Sequence, residues 1–107
     1  MVARHWRGRS RADTASAYLD HLRIETLPRL RALDGHRGAY VLRREVGDEI
    51  EFVVLTLWES LESVRAFAGD DYETAVVPPQ ARRVLTTFDK RALHYDVVIG
   101  TAGASRP

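Results

Sequence analysis

Cysteine is absent from the 107 residues. That removes disulfide cross-links and thiolate nucleophiles together. An excess of charge of one sign is also lacking. Sixteen Lys and Arg stand against 15 Asp and Glu, for a net charge of +1, so no strong attraction to nucleic acid is expected. Arg4, Arg7, Arg9 and Arg11 crowd the start of the chain, but they read as solvated or ion-paired side chains rather than a phosphate-binding stripe. No apolar run approaches the roughly 20 residues of a membrane span. Met1 to Ser10 has charges throughout and no apolar stretch of the secretory kind, so a cytoplasmic location is the default expectation. The four His show neither H-x-H nor H-x-x-x-H spacing, and no metal site is expected. The Gly residues form no phosphate-cradling loop and no nucleophile elbow. No nucleotide, flavin or other cofactor is implied.

What is present is an ordinary globular composition, 45% hydrophobic and 29% charged, in a length that fits one domain. Val2 to Gly8 reads as a strand. From about Ala12 the apolar residues Ala15, Tyr18, Leu19, Leu22, Leu27, Leu30 and Leu33 form a helical stripe. Pro28 lies inside it and predicts a kink or split. Asp34-Gly35 ends it. Gly38 to Arg44 and Glu49 to Trp58 read as two strands joined by a tight turn at Val46-Gly47-Asp48, too short for a parallel crossover. Ser60 is placed to cap a second helix with Leu61, Val64 and Phe67 on its apolar face, and Gly69 stops it. Asp70-Asp71 can cap a short turn through Tyr72 to Val77, Pro78-Pro79 breaks it, and Gln80 to Leu85 holds one more helical turn. Arg91 to Ile99 reads as the last strand. The order β-α-β-β-α-β is the ferredoxin-like α+β unit, an antiparallel sheet with two helices on one face. Residues 1–99 form the expected domain and Gly100 to Pro107 a frayed tail.

The third strand carries a further clue. Phe52, Val54 and Trp58 are apolar on one parity, and Val53, Leu55 and Leu57 on the other. An antiparallel strand with one wet face alternates with polar residues, and this one does not. Two helices cover one sheet face. The economical cover for the second is another copy of the chain, packed sheet to sheet as a homodimer.

The stretch Val54-Leu55-Thr56-Leu57-Trp58-Glu59-Ser60-Leu61-Glu62-Ser63-Val64-Arg65-Ala66-Phe67 resembles the third strand and second helix of the antibiotic biosynthesis monooxygenase family. The early strand, the long first helix, Gly35 to Tyr40 and His94-Tyr95-Asp96-Val97 also match in kind. The resemblance implies a dimeric α+β barrel. Its members include cofactor-free oxygenases of aromatic polyketides, heme-degrading enzymes and proteins with no assigned reaction. At the places where the heme-degrading branch carries an Asn, a Trp and a His, this chain holds Trp6, Phe67 and Val77, so heme degradation is not expected. The cofactor-free branch carries an Asn, a Trp and a Tyr. Here Trp58 matches, while the other two places hold Val54 and Val64.

Five residues are the site candidates. Trp58 and Trp6 are indoles able to wall an aromatic ligand pocket, or else to anchor the core. Phe67 adds a third ring. Arg4 shares a strand face with Trp6 and suits an acidic or phenolate-like substrate, or else an ion pair at the sheet edge. His94 is the general-base candidate by residue type, against a structural or solvent-facing strand His. Two functions stay open: a cofactor-independent oxygenase acting on a small aromatic or enolisable substrate, and a non-catalytic dimeric module that binds a small hydrophobic ligand or serves assembly.

Overall fold

A computed structural model describes residues 1–101. Of the expected tail, residues 102–107 lie outside the described residues. The strands are β1 (Val2–Arg11), β2 (His36–Val46), β3 (Glu49–Trp58), β4 (Thr87–Phe88) and β5 (Leu93–Asp96). The helices are α1 (Ala15–His21), α2 (Leu27–Arg31), α3 (Leu61–Ala68) and α4 (Pro79–Arg82). β1 and β3 pair antiparallel at the centre, β2 flanks β3, and both β4 and β5 pair with the outer side of β1. This is the mixed α+β arrangement expected for a ferredoxin-like unit.

Local chemistry explains most element ends. The Ser60 hydroxyl accepts the Ser63 N–H at 3.3 Å and caps α3, as its position in the sequence predicts. Gly69 closes that helix at φ 86°. Gly35 sits at φ 84°, and a Cβ there would lie 2.1 Å from the Ser63 hydroxyl. Only glycine lets this loop press against α3, where the Gly35 carbonyl accepts the Glu59 N–H at 2.7 Å.

Two elements depart from the sequence reading. The helix expected to kink at Pro28 instead changes its hydrogen bonding one turn earlier. Leu22–Thr26 is a π-helical turn between α1 and α2, with the Leu27 N–H bonded five residues back to the Leu22 carbonyl. Proline brings no N–H and crowds the carbonyl four residues before it. The wider turn accommodates both effects, and α2 follows directly with Pro28 in its first turn. The last strand is also shorter than Arg91 to Ile99. It pairs only over Leu93–Asp96, and a separate two-residue strand, Thr87–Phe88, pairs with β1 farther along. Val98 and Ile99 are 87% and 86% exposed, and an apolar pattern alone does not place a residue in a sheet.

Side chains of even number on β1 and β3 point to the helices. They belong to two apolar clusters. One gathers Ala15, Tyr18, Leu22, Ile50, Phe52, Val77, Ala81 and Leu85; the other gathers Val2, Leu30, Trp58 and Val64. The opposite sheet face is built in cross-strand rows: Tyr40, Leu55, His5 and Leu93, then Leu42, Val53 and Arg7, then Arg44, Glu51 and Arg9. Its apolar end is open, with Leu42 and Leu93 about half exposed. Its charged end is closed by Glu51, whose carboxylate meets Arg44 at 2.9 Å and Arg9 at 3.5 Å.

Candidate functional site

The two apolar clusters do not merge. Between them, under the helices, lies a cavity of about 70 Å³ that opens to solvent. Tyr18, Leu22, Val77 and Ala81 come to its wall from one cluster, Leu30 and Phe67 from the other, and Arg4, Trp6, Val54 and Thr56 from the sheet. A second depression adjoins it. His21, Thr26, Phe67, Val76 and Pro78 line both, and Glu25, Arg29 and Gln80 line the basin alone.

Among the described residues, Arg4 is the only Lys or Arg on the cavity wall. It is 5% exposed. Its guanidinium donates to the backbone carbonyl of Tyr72, to Nε2 of His94 at 3.0 Å and to the carbonyl of Thr74 at 3.4 Å. No carboxylate pairs with it among the described residues. Burial lowers its pKa to about 10, which leaves it charged at neutral pH. A buried cation without a counter-ion is costly. The arrangement is therefore complementary to an anion. The Phe67 ring lies 5.7 Å from the guanidinium carbon of Arg4 and 5.6 Å from that of Arg29 at the basin, within cation–π reach of both.

Trp6 forms a flat wall. Its indole N–H donates to the Asp89 carbonyl at 2.7 Å, so the ring is fixed and that donor is occupied. The ring extends over Gly8, where a Cβ would come within 2.7 Å of it. Tyr18 stands beside it at 6.5 Å between ring centres. Burial raises the pKa of the Tyr18 phenol, so it remains protonated at neutral pH.

The structure brings Arg4, Trp6 and Phe67 together at one cavity and leaves two candidates behind it. Trp58 is fully buried in the second cluster, donates its indole N–H to the Thr56 hydroxyl at 2.8 Å and stacks on Phe67 at 5.9 Å. It backs the wall without forming it. His94 lies across from Arg4 on β5, and its Nε2 is engaged by the guanidinium. Burial and the adjacent Arg4 cation lower its pKa. A neutral ring accepting from Arg4 holds that residue in place, and the nitrogen that would serve as a base is already occupied. The residues that sequence reasoning missed are Tyr18, His21 and Thr26. Tyr18 reads as one more apolar member of a helical stripe. Thr26 carries no signal, and His21 meets it only through the π turn. Among the described residues, no group of three or more His, Cys, Asp or Glu is placed to hold a metal ion, and no helix is long and apolar enough to cross a membrane.

Fold and cavity together define a ferredoxin-like α+β domain with a cavity between sheet and helices. The family model for antibiotic biosynthesis monooxygenases matches residues 1–78, and the chain belongs to that family. Among solved structures, Rv0793 from Mycobacterium tuberculosis superposes with a TM-score of 0.62 at 20% identity, over 94% of this chain and 98% of its own. A Bacillus cereus protein assigned to the antibiotic biosynthesis monooxygenases gives 0.64 at 16%, over 94% and 96%. The heme-degrader MhuD from M. tuberculosis, with two hemes bound in its active site, gives 0.58 at 22%, over 94% and 99%. At these identities the likeness carries the fold. No curated protein matches the sequence.

At the three places matched to the heme-degrading branch this chain offers no iron ligand, while His21 is an imidazole on the same wall. Of the three places where the heme-degrading branch carries its Asn, Trp and His, all line this cavity. Phe67 and Val77 bring no nitrogen to it, and Trp6 has its N–H bonded to Asp89.

Proposed function

We propose that the cavity binds a small aromatic or enolisable acid as its anion, and that the protein is a cofactor-independent oxygenase of its family acting on that ligand. The observation that carries the reading is Arg4, a buried guanidinium without a carboxylate partner among the described residues, on the wall of a mostly apolar cavity. Trp6 and Phe67 give the ligand's ring flat apolar neighbours, each aromatic contact being worth about 0.5–1.5 kcal/mol beyond area burial. Arg4 opposes the charge of a phenolate, enolate or carboxylate. An enolate held this way is an electron-rich carbon centre of the kind that reacts with dioxygen directly.

The working unit is a homodimer through the open sheet face. A second copy suits that face because it is self-complementary, with an apolar end and an end where Arg9, Arg44 and Glu51 supply both signs of charge. The family resemblance supports the same occupant. Residues 1–99 form the domain of this unit.

A second reading is favoured by Val54 and Val64, which stand where the cofactor-free branch carries an Asn and a Tyr. Under it the protein is a dimeric ligand-binding module without catalysis. Oxygen uptake separates the two. Anthrone is a suitable probe, since its oxidation by dioxygen yields anthraquinone and water without any reductant. Uptake above the spontaneous rate that falls in Arg4→Ala supports the oxygenase, and saturable binding without uptake supports the module. Preference for 4-nitrophenolate over nitrobenzene tests the anion reading, and equal affinity for the two overturns it. Hemin with ascorbate should give no ring-opened product, and turnover there would overturn the exclusion of heme chemistry.

A further inference from the structure

The π turn does more than accommodate Pro28. In an α-helix, residues five apart point about 140° away from each other, so His21 and Thr26 would occupy different faces. Hydrogen bonding five residues back brings them onto one face. His21 Nε2 lies 3.4 Å from the Thr26 hydroxyl, and both side chains reach the cavity and the adjoining basin. π turns of this kind occur often at functional positions.

We propose that His21, oriented by Thr26 across the π turn, is the proton acceptor for the acid bound in the cavity. This rests on the reading that the cavity takes an acid. Elimination along the wall supports it. Arg4 is already a cation. The Trp6 indole N–H is bonded to the Asp89 carbonyl. The Tyr18 phenol stays protonated, because burial raises its pKa. The Thr56 hydroxyl accepts from Trp58. Leu22, Leu30, Val54, Phe67 and the remaining wall residues are apolar. His21 is the one imidazole there, and imidazole is the side chain type that accepts and returns protons near neutrality.

The step is a proton transfer alone. The ligand's O–H bond, or the acidic C–H of an enolisable ketone, breaks. Its proton goes to the lone pair of neutral His21, and the electron pair stays on the ligand as phenolate or enolate. The imidazolium then donates toward Thr26, and the new anion meets Arg4. Proton and charge both stay inside the protein, and the net charge of the complex is unchanged. Tyr18 stacks on the His21 ring at 6.5 Å, Gln80 comes from α4, and the charged residues of the shared basin are Glu25 and Arg29, one of each sign.

The test uses 4-nitrophenol, coloured only as its phenolate, added to the protein in weakly buffered solution below the phenol's own pKa. Absorbance reads the bound form, and a pH indicator reads protons released. Wild type should bind the phenolate and release almost no proton. His21→Gln should either release about one proton per phenolate bound or bind the phenol uncoloured, with weaker affinity in both cases. Thr26→Val should keep the fold and show a reduced coloured fraction. Wild type that binds the phenolate while releasing about one proton per ligand overturns the proposal, as does colourless binding by wild type. So does a His21→Gln protein indistinguishable from wild type. If wild type binds neither 4-nitrophenol nor nitrobenzene, the cavity reading itself falls and this proposal with it. If wild type binds 4-nitrophenolate in preference to nitrobenzene and His21→Gln behaves identically, the acceptor alone falls and the cavity reading stands.

Discussion

The two faces of one sheet use similar apolar residues to different ends. On the helix face, Phe52, Trp58 and Val64 are fully buried, and the space left between two clusters is a cavity with a cation on its wall. On the other face, Val53, Leu55 and Leu57 occupy the same strand with the same hydrophobicity, yet their neighbours Tyr40, Leu42, Leu93 and Tyr95 stay about half exposed. Residue type does not distinguish the faces. The helices reach only one, and that face acquires the core, while the other keeps an exposed apolar end around Tyr40, Leu42 and Leu93.

Substitutions on the two faces should separate these roles. The largest effect is expected from Trp58→Ala, which empties the second cluster and removes the ring behind Phe67. It should lower unfolding free energy by about 3–5 kcal/mol in a denaturant titration. Leu55→Asp lies on the same strand but on the open face. It should leave a folded chain sedimenting near 12.1 kDa, where the wild type should sediment at twice that mass, because the proposed dimer interface would bury an unpaired charge. If Leu55→Asp unfolds the chain as readily as Trp58→Ala, the distinction between the faces fails.

Next in size, Arg4→Ala removes the charge-assisted contact to an anion. It should weaken 4-nitrophenolate binding by 10-fold or more, about 1.5–3 kcal/mol for a hydrogen bond to a charged group, while leaving nitrobenzene affinity little changed.

A smaller effect should come from pH, and again from the helix face. His36 packs edge-on against Trp58 at 5.0 Å, and burial followed by the nearby Arg31 lowers its pKa. The pKa of His94 is lowered by burial and then by Arg4. Both rings are neutral in the folded protein at neutral pH. Their folded pKa values lie below the ordinary 6.5, so the unfolded chain binds protons more readily. Stability should be fully present above about pH 6.5 and decline as pH falls through the lowered values. Thermal melts from pH 7 downward should show the decline, and His94→Gln should make it shallower.

The smallest effect is expected from Gly8→Ala. The added methyl meets the Trp6 ring, which is tied to Asp89 and has little room to give. Trp6 fluorescence should shift and ligand affinity fall a few-fold, with the sheet intact by circular dichroism.

The amino-acid sequence alone determined the order of elements from β1 through α3, the pairing of β2 with β3 through their tight turn, the Ser60 cap and the Gly69 stop. Each follows from a period of 2 or 3.6 or from one residue's backbone preference, and such signals act within a few residues. Periodicity also placed Arg4 and Trp6 on one face of β1. What stands over a given spot on that face is a matter of contacts between residues far apart in the chain, and only the tertiary structure decided it. Trp58 and Trp6 both point to the helices, but α3 closes over Trp58 and a gap between clusters falls beside Trp6. His94 looks free in the sequence and is bound to Arg4, 90 positions away. Pro28 signals a break in the helix; the packed helix answers with a π turn instead, because widening one turn keeps Leu22 and Leu30 buried where a sharp kink would lift one of them out of its cluster.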